Sequence, residues 1–333
     1  MKALQITGYG EIADNVENTE IPTPLINDDQ VLIEIRSAGV NPVDYKIVKG
    51  AMKKIKTLNF PAPIGFDLSG IVVGVGQDIT NLTVGDEVYA RVPSDTPGTF
   101  AEFIAVDASV VVKKPGNITH NEASGIPLVG VTTVQALKMA GIKKGDSILI
   151  HAGSGGVGSF AIQYAKALGA TVYTTTSSLN VEWVKELGAD RVIDYKNENY
   201  LDVVSEVDIV FDTLGGSYSV DAFKVLKKGG FVVSIAGPID GQTAKEWGLS
   251  LIPRLYLKLT GRKVTQRMKK KSAQYRYFLM SPDADQLNEI STLIEAGKIH
   301  PVTAKVFPLS EGVDALKFVE TGRAKGKVIL QVK

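Results

Sequence analysis

The chain has 333 residues and carries 37 Lys/Arg against 36 Asp/Glu, a net charge of +1. At roughly 100–200 residues per domain this length predicts two domains, and the balanced charge excludes any global pull toward nucleic acid or membrane. With no cysteine, disulfides, thiolate nucleophiles and thiolate metal sites are excluded as well. Met1–Lys2 leads straight into strand-like alternation, with no apolar leader. No apolar run nears the ~18 residues that span a bilayer, so a cytoplasmic protein without a membrane span is the expectation.

Residues 1–120 read as short strands separated by turns. In VLIEIRSAG, Val31, Ile33 and Ile35 alternate with Glu34 and Arg36, the pattern of a half-buried strand. SGIVVGVGQDITNLTVGDEVYARV adds two strands around a Gly-Asp turn, and GTFAEFIAVDASVVVKKP adds another pair. From about Glu122 the rhythm changes to strand, helix, strand, helix. SILIHAG precedes a helix at 156–168, TVYTTT one near 180–187, and VDIVFDTLGG one near 217–226, followed by GGFVVSIAG. Apolar runs of this length between amphipathic helices predict a parallel sheet covered on both faces. A helix at 284–296 leads into a final strand, helix, strand. The expected architecture is α/β, a β-rich domain interrupted by a doubly wound parallel-sheet domain. The predicted boundaries are 1–124, 125–281 with an insertion about 240–275, and a C-terminal return over 282–333.

Gly153, Gly155 and Gly158 form G-x-G-x-x-G between a predicted strand and helix. In that fingerprint the first glycine permits a tight turn, the second admits a pyrophosphate and the third lets helix pack on strand. The helix N-terminus offers unpaired N–H groups to the phosphates, which makes Gly153, Ser154, Gly155, Gly156, Val157 and Gly158 candidate cofactor contacts. A Gly-rich surface turn is the plain alternative. Strand, glycines, helix and second strand nonetheless follow in the required order within about 30 residues.

NAD sites usually carry an Asp or Glu about 20 residues further on, which accepts from the ribose 2′-hydroxyl. Here positions 173–178 read Tyr-Thr-Thr-Thr-Ser-Ser. No carboxylate stands in that stretch to repel a 2′-phosphate, and Thr175, Thr176, Ser177 and Ser178 are candidate donors to one. NADP(H) is therefore the expected cofactor, although threonines also suit a strand for their own sake.

The segments AGVNPVDYKIVKG (38–50), PIGFDLSGIVVGVG (63–76), VGDEVYA (84–90), GTFAEF (98–103), HAGSGGVG (151–158), LGADRVIDYK (187–196) and GRAKGKVIL (322–330) together resemble the zinc-free medium-chain dehydrogenase/reductases, in the quinone oxidoreductase and enone/alkenal reductase group. The resemblance runs over nearly the whole chain. It implies a GroES-like catalytic domain with an inserted Rossmann domain. One departure bears on the cofactor. Similar NADP-dependent members carry a lysine just after the Ser-Ser pair, where this chain has Leu179, so the phosphate would rely on Ser177, Ser178, Tyr195 and Lys196.

The resemblance also bears on metal. Zinc-dependent relatives have a cysteine where this chain has Asn41, and Gly-His-Glu where it has Gly65-Phe66-Asp67. The three histidines, His120, His151 and His300, read as structural, so no metal is expected. Reduction of an isolated ketone calls for a Lewis acid or a placed proton donor. Hydride addition to an enone or quinone spreads charge over a delocalised oxygen, which hydrogen-bond donors can hold. The resemblance places the NPVDYK loop beside the nicotinamide, which makes Tyr45, Asn41 and Lys46 candidate catalytic residues. Asn41 has an alternative role as an Asx turn before Pro42. Leu214, Ile235 and Gly237, at predicted strand ends, and Lys325 and Lys327 near the C-terminus are further cofactor candidates, with strand-end packing and solvation as their plain roles.

The insertion combines apolar LSLIPRLYLKL (249–259) with RKVTQRMKKK (262–271), six basic residues in ten. A solvated face, an acidic partner, RNA or an anionic membrane surface remain open for the basic run. A subunit contact, as in a homodimer, or a lid over the substrate pocket remain open for the apolar one. Two function classes follow. The first is an NADPH-dependent reductase of quinones or α,β-unsaturated carbonyls. The second is a low-turnover NADPH-binding structural or RNA-associated protein of crystallin-like type. Retention of the NPVDYK loop favours the enzyme, and a small-molecule quinone or enone is the expected partner.

Overall fold

The computed structural model describes residues 1–51, 53 and 57–333. The chain divides into two compact units, one of residues 1–131 and 281–333, the other of residues 132–280.

The first unit is built on a seven-stranded sheet. Along its path the strands run Thr303–Pro308, Lys327–Gln331, Gln30–Val40, Asp67–Val75, Glu87–Arg91 and Val111–Lys113, with Phe103–Asp107 pairing Gln30–Val40 as well. Alternation in Gln30–Val40 puts Val31, Ile33 and Ile35 fully inside. There they pack with Leu68, Val72, Val88 and Val106. A second cluster, of Leu4, Ile6, Val40, Phe100, Leu316 and Leu330, draws on both ends of the chain. The C-terminal strand Lys327–Gln331 lies antiparallel to Gln30–Val40, with Val328 opposite Val40 and Ile329 opposite Gly39. That pairing closes the unit across the whole length of the sequence.

The segment read as the NPVDYK loop is instead the start of helix Pro42–Val48. Asn41 is extended at its N-cap, and Pro42 opens the first turn, where proline's missing N–H costs nothing. Asp44 closes the turn by accepting from the Asn41 N–H at 2.6 Å.

The second unit holds a six-stranded sheet in the order Arg191–Asp194, Thr171–Thr176, Ser147–Ile150, Val207–Asp212, Leu226–Ser234 and Gln274–Tyr277, and every pair is parallel. In chain order within the unit this is 3-2-1-4-5-6, the doubly wound dinucleotide-binding arrangement. Ile148, Leu149 and Ile150 are all fully buried, as a strand covered on both faces requires. Helices Gly156–Ala167, Val181–Glu186 and Ser217–Val225 follow the first, second and fourth strands, close to the expected spans. Strand Gln274–Tyr277 has no counterpart in the sequence reading. Only four residues long at the sheet edge, with Tyr275 alone buried, it carries too little periodicity to stand out. The insertion before it forms helices Gly241–Glu246, Leu251–Thr260 and Arg262–Lys271.

The glycines of the loop differ in what they exclude. A Cβ on Gly158 would sit 2.2 Å from the Ala152 carbonyl oxygen, where backbone cannot yield. Gly158→Ala is therefore expected to cost about 1–3 kcal/mol, read as a lower urea-unfolding midpoint. Gly155→Ala, whose Cβ meets nothing nearer than 3.4 Å, should leave the midpoint close to wild type.

Candidate functional site

Between the first and fourth strands of the parallel sheet the chain order reverses, and ligands of such sheets bind beyond the carboxyl ends at this point. Strand Ser147–Ile150 ends there at His151. The tight turn is made by Ala152, held left-handed at φ 55°. Gly153 is needed for closeness instead, because its Cβ would lie 2.3 Å from Thr174 Oγ1. Gly153 N donates to Thr175 O and Gly155 N to Ala152 O, both at 2.9 Å. Gly155 then caps helix Gly156–Ala167. Ser154, Gly155, Gly156 and Val157 are half-buried, so the helix opens to solvent with its first-turn N–H groups and positive dipole end. This is a cradle for an anion.

The second strand end corrects part of the sequence reading. Thr175 and Thr176 are buried, since both faces of a doubly wound parallel sheet are covered. Thr175 Oγ1 accepts from Ala152 N at 3.2 Å, and Thr174 Oγ1 donates to Ile150 O at 2.7 Å. The Thr174 and Thr175 hydroxyls tie the glycine turn to its neighbour, Thr175 also lines the cleft beside Tyr195, and Thr176 Oγ1 is buried without a partner among the described residues. Ser177 is half-buried, while Ser178 and Leu179 are exposed. The fold also brings in a carboxylate that the stretch 173–178 lacks. Asp194, at the end of the adjacent strand, accepts from the Ser178 hydroxyl, which lowers its pKa. Tyr195 is bonded through its N–H to Thr176 O at 3.0 Å. Its ring and Lys196 line a cleft of about 570 Å³ with Tyr200, Ser217, Tyr218 and Asp221.

Asp212, which the sequence reading passed over, organises the far side of the switch point. Fully buried, its carboxylate accepts from Leu214 N at 3.1 Å, Gly215 N at 2.8 Å, Ser219 Oγ at 2.5 Å and Ser234 Oγ at 2.9 Å. Leu214 is thereby held exposed at the strand end. Ile235, half-buried, donates its N–H to Asp212 O at 3.1 Å. Gly237 is a packing glycine, because a Cβ there would meet Ser219 Oγ and Tyr275 Oη at 2.5 Å. Thr213 Oγ1 bridges the switch point to His151 O at 2.8 Å. The His151 ring stands edge-on between Tyr200 and Tyr218, 5.0 Å from each centroid, and burial pushes its pKa down to about 4. It is a neutral core histidine, as the sequence suggested. His120 opens helix His120–Ser124 and bonds Ser69 Oγ at 2.8 Å.

In the first unit the register assembles a buried polar cluster. Gly39 pairs with Asp67, Asp67 with Arg91, and Val40 with Val328, so Asn41, Asp67, Arg91 and Lys327 converge. Asn41 Nδ2 donates to Asp67 Oδ2 at 2.9 Å and to Gly39 O at 3.3 Å. Lys327 Nζ donates to Asn41 Oδ1 and lies 3.4 Å from Asp67 Oδ2. Asp67 Oδ1 accepts from Leu128 N at 3.0 Å. Arg91 lies over the Phe66 ring at 4.6 Å. Burial raises the Asp67 pKa and lowers that of Lys327, and pushes Asp44 up to about 7. Asn41 was expected as a donor to substrate or as an Asx turn. Its amide is engaged in this cluster, and with Asp44 it also forms the capping box that opens helix Pro42–Val48, in keeping with the turn role. Tyr45 is half-buried on helix Pro42–Val48 and Lys46 exposed. Lys325 is exposed, whereas Lys327, expected with it to reach the cofactor, turns inward because its ammonium is taken up by Asn41 and Asp67. Among the described residues no three His, Asp or Glu side chains group as a metal site, and no helix is long and apolar enough to cross a membrane.

A family model described as an alcohol dehydrogenase GroES-like domain matches residues 27–116, and one described as a zinc-binding dehydrogenase matches residues 187–330. With the 3-2-1-4-5-6 parallel sheet, these define a medium-chain dehydrogenase/reductase. The chain is 35% identical to the 2-methylene-furan-3-one reductase of Solanum lycopersicum, over 99% of this chain and 79% of that protein. The NADPH-dependent alkenal/one oxidoreductase, chloroplastic, of Arabidopsis thaliana matches at the same identity and coverage. The solved quinone oxidoreductase of Coxiella burnetii superposes with a TM-score of 0.87 at 32% identity, covering 100% of this chain and 99% of that one. The chain belongs to the quinone oxidoreductase and alkenal/one reductase family of medium-chain dehydrogenase/reductases.

Two measurements test the geometry. Lys327→Met would leave Asp67 as a buried carboxylate without its cation, and is expected to cost about 3–5 kcal/mol in urea unfolding. Combined with Asp67→Asn, the loss should be smaller than the sum of the single effects. For His151 the folded pKa lies below the unfolded value, so the unfolded chain takes up the proton first as pH falls. Stability is full above pH 6.5 and declines toward pH 4, by about 3 kcal/mol from this group. His151→Asn should remove that part of the acid loss.

Proposed function

We propose that the protein is an NADPH-dependent oxidoreductase that delivers hydride to a quinone, or to the β-carbon of an α,β-unsaturated ketone or aldehyde, without a metal. The observation that carries this reading is the anion cradle at the switch point. There Gly155 leaves space above the loop while Gly153 and Gly158 are pressed against Thr174 and Ala152. Such a cradle fits a dinucleotide pyrophosphate, held by residues 153–158. Leu214, Ile235 and Gly237 flank the strand ends nearby. Ser177, Ser178, Tyr195 and Lys196 are the proposed contacts of the 2′-phosphate. When bound, NADPH supplies the hydride.

Metal-free chemistry is supported by Lys327. The positions that resemble zinc ligands, Asn41 and Asp67, are bonded to an ammonium, and a divalent cation there would face a buried positive charge. Reduction of an enone or quinone builds charge on a delocalised oxygen, for which preorganised donors suffice. Tyr45 is the proposed donor, carried on a short helix whose start is pinned by the cluster beneath it. Lys46 is the second.

Product analysis with NADPH deuterated at C4 and a simple enone tests the reading. Deuterium at the β-carbon of a saturated ketone is expected, and deuterium on a carbinol carbon would make the protein a carbonyl reductase. In the same assay Tyr45→Phe should lower turnover by about 10²–10³. Gly155→Val should abolish NADPH binding in fluorescence titration while the unfolding midpoint stays.

A further inference from the structure

The insertion helices between the fifth and sixth strands of the parallel sheet hold none of the residues proposed above to contact cofactor or substrate. Helix Leu251–Thr260 buries none of its residues. Leu251, Ile252, Leu255, Tyr256 and Leu259 are 80%, 83%, 61%, 65% and 65% exposed. Their spacing of i, i+1, i+4, i+5 and i+8 gathers them into one helical stripe. Arg254 and Lys258, one turn apart, flank it. Single exposed apolar residues need no explanation, but five on one helix mark an interaction surface.

The next helix, Arg262–Lys271, is anchored. Val264 is buried, and Met268 packs on the cluster that includes Phe223, Val225 and Tyr275. Arg262, Lys263, Arg267, Lys269 and Lys270 are exposed. Residues 251–271 contain eight Lys/Arg and no Asp/Glu, so with a chain net charge of +1 the remaining residues carry −7. The positive charge is concentrated on the stripe's own helix and on the helix that directly follows it.

We propose that the helix pair Leu251–Lys271 docks on an anionic lipid bilayer. The stripe enters the boundary between headgroups and acyl chains, and the basic residues meet the negative headgroups. An exposed apolar face bordered by Lys and Arg is the composition of an interfacial helix, and anionic headgroups complement the charge. A second copy set face to face would bring the same eight cations against these. The proposal stands on these two helices alone, so its failure would leave the reductase reading untouched.

The test is co-sedimentation of the full-length protein with vesicles of phosphatidylcholine alone, and of phosphatidylcholine mixed with phosphatidylserine. Pelleting is expected with the mixed vesicles at low salt, with release at high salt and none with phosphatidylcholine alone. Leu255→Asp combined with Tyr256→Asp should abolish it. Lys269→Gln with Lys270→Gln should weaken it roughly thirtyfold. All four positions are exposed, and unchanged unfolding midpoints would show that the variants fold. Absence of pelleting, equal pelleting with both vesicles, or pelleting indifferent to the variants would each overturn the proposal. So would release by inorganic phosphate at constant ionic strength, which would identify a free-anion site. A dimer in sedimentation velocity that Leu255→Asp with Tyr256→Asp dissociates would give the face to a second copy and overturn it as well.

Discussion

The contact of Lys327 with Asn41 and Asp67 joins residues separated by 286 and 260 positions in the chain. It is the point at which the C-terminal return is locked to the N-terminal sheet. All of its members are buried, and a buried charge is tolerable only when paired and hydrogen-bonded. The pairing register must therefore be the one that brings Asp67, Arg91 and Lys327 together. A slip of one residue would turn each side chain to the opposite face. The same cluster holds the N-terminus of the short helix that carries Tyr45, so the placement of the proposed proton donor depends on it.

The parallel sheet uses a comparable device at its switch point. Asp212 gathers two loop N–H groups and two serine hydroxyls, and Thr213 ties the loop across to His151 O. Loops beyond parallel strands would otherwise carry little local order. A buried carboxylate satisfied by four donors shapes the strand ends without blocking the groove above them. The glycine turn is held in the same manner by Thr174 and Thr175 from the neighbouring strand. In both units, buried polar groups set the geometry of the backbone on which exposed groups are presented.

The alternation of strand and helix after Glu122, the glycine spacing and the balance of the chain as a whole were legible in the sequence because each is local or compositional. Hydrophobic period follows from backbone geometry, and a glycine turn is specified within a few residues. Less legible was the direction in which a side chain faces. Thr175 and Thr176 look like phosphate donors in a line of text, but a sheet covered on both faces keeps them buried. The carboxylate absent from 173–178 arrives as Asp194 from the next strand. Lys325 and Lys327 look alike in GRAKGK, yet one is exposed and the other is the cation of a buried cluster.

By itself the sequence determined the class of fold, the presence of a dinucleotide fingerprint and the loss of thiolate ligands, since these rest on residue type and spacing. The tertiary structure alone decided that Asn41 is engaged by Asp67 and Lys327, that Asp212 orders the switch point, and that the apolar stripe beginning at Leu251 is left uncovered. Each of these depends on strand register or helix packing between segments far apart in the chain, where side-chain direction and burial are set by partners that no local pattern encodes.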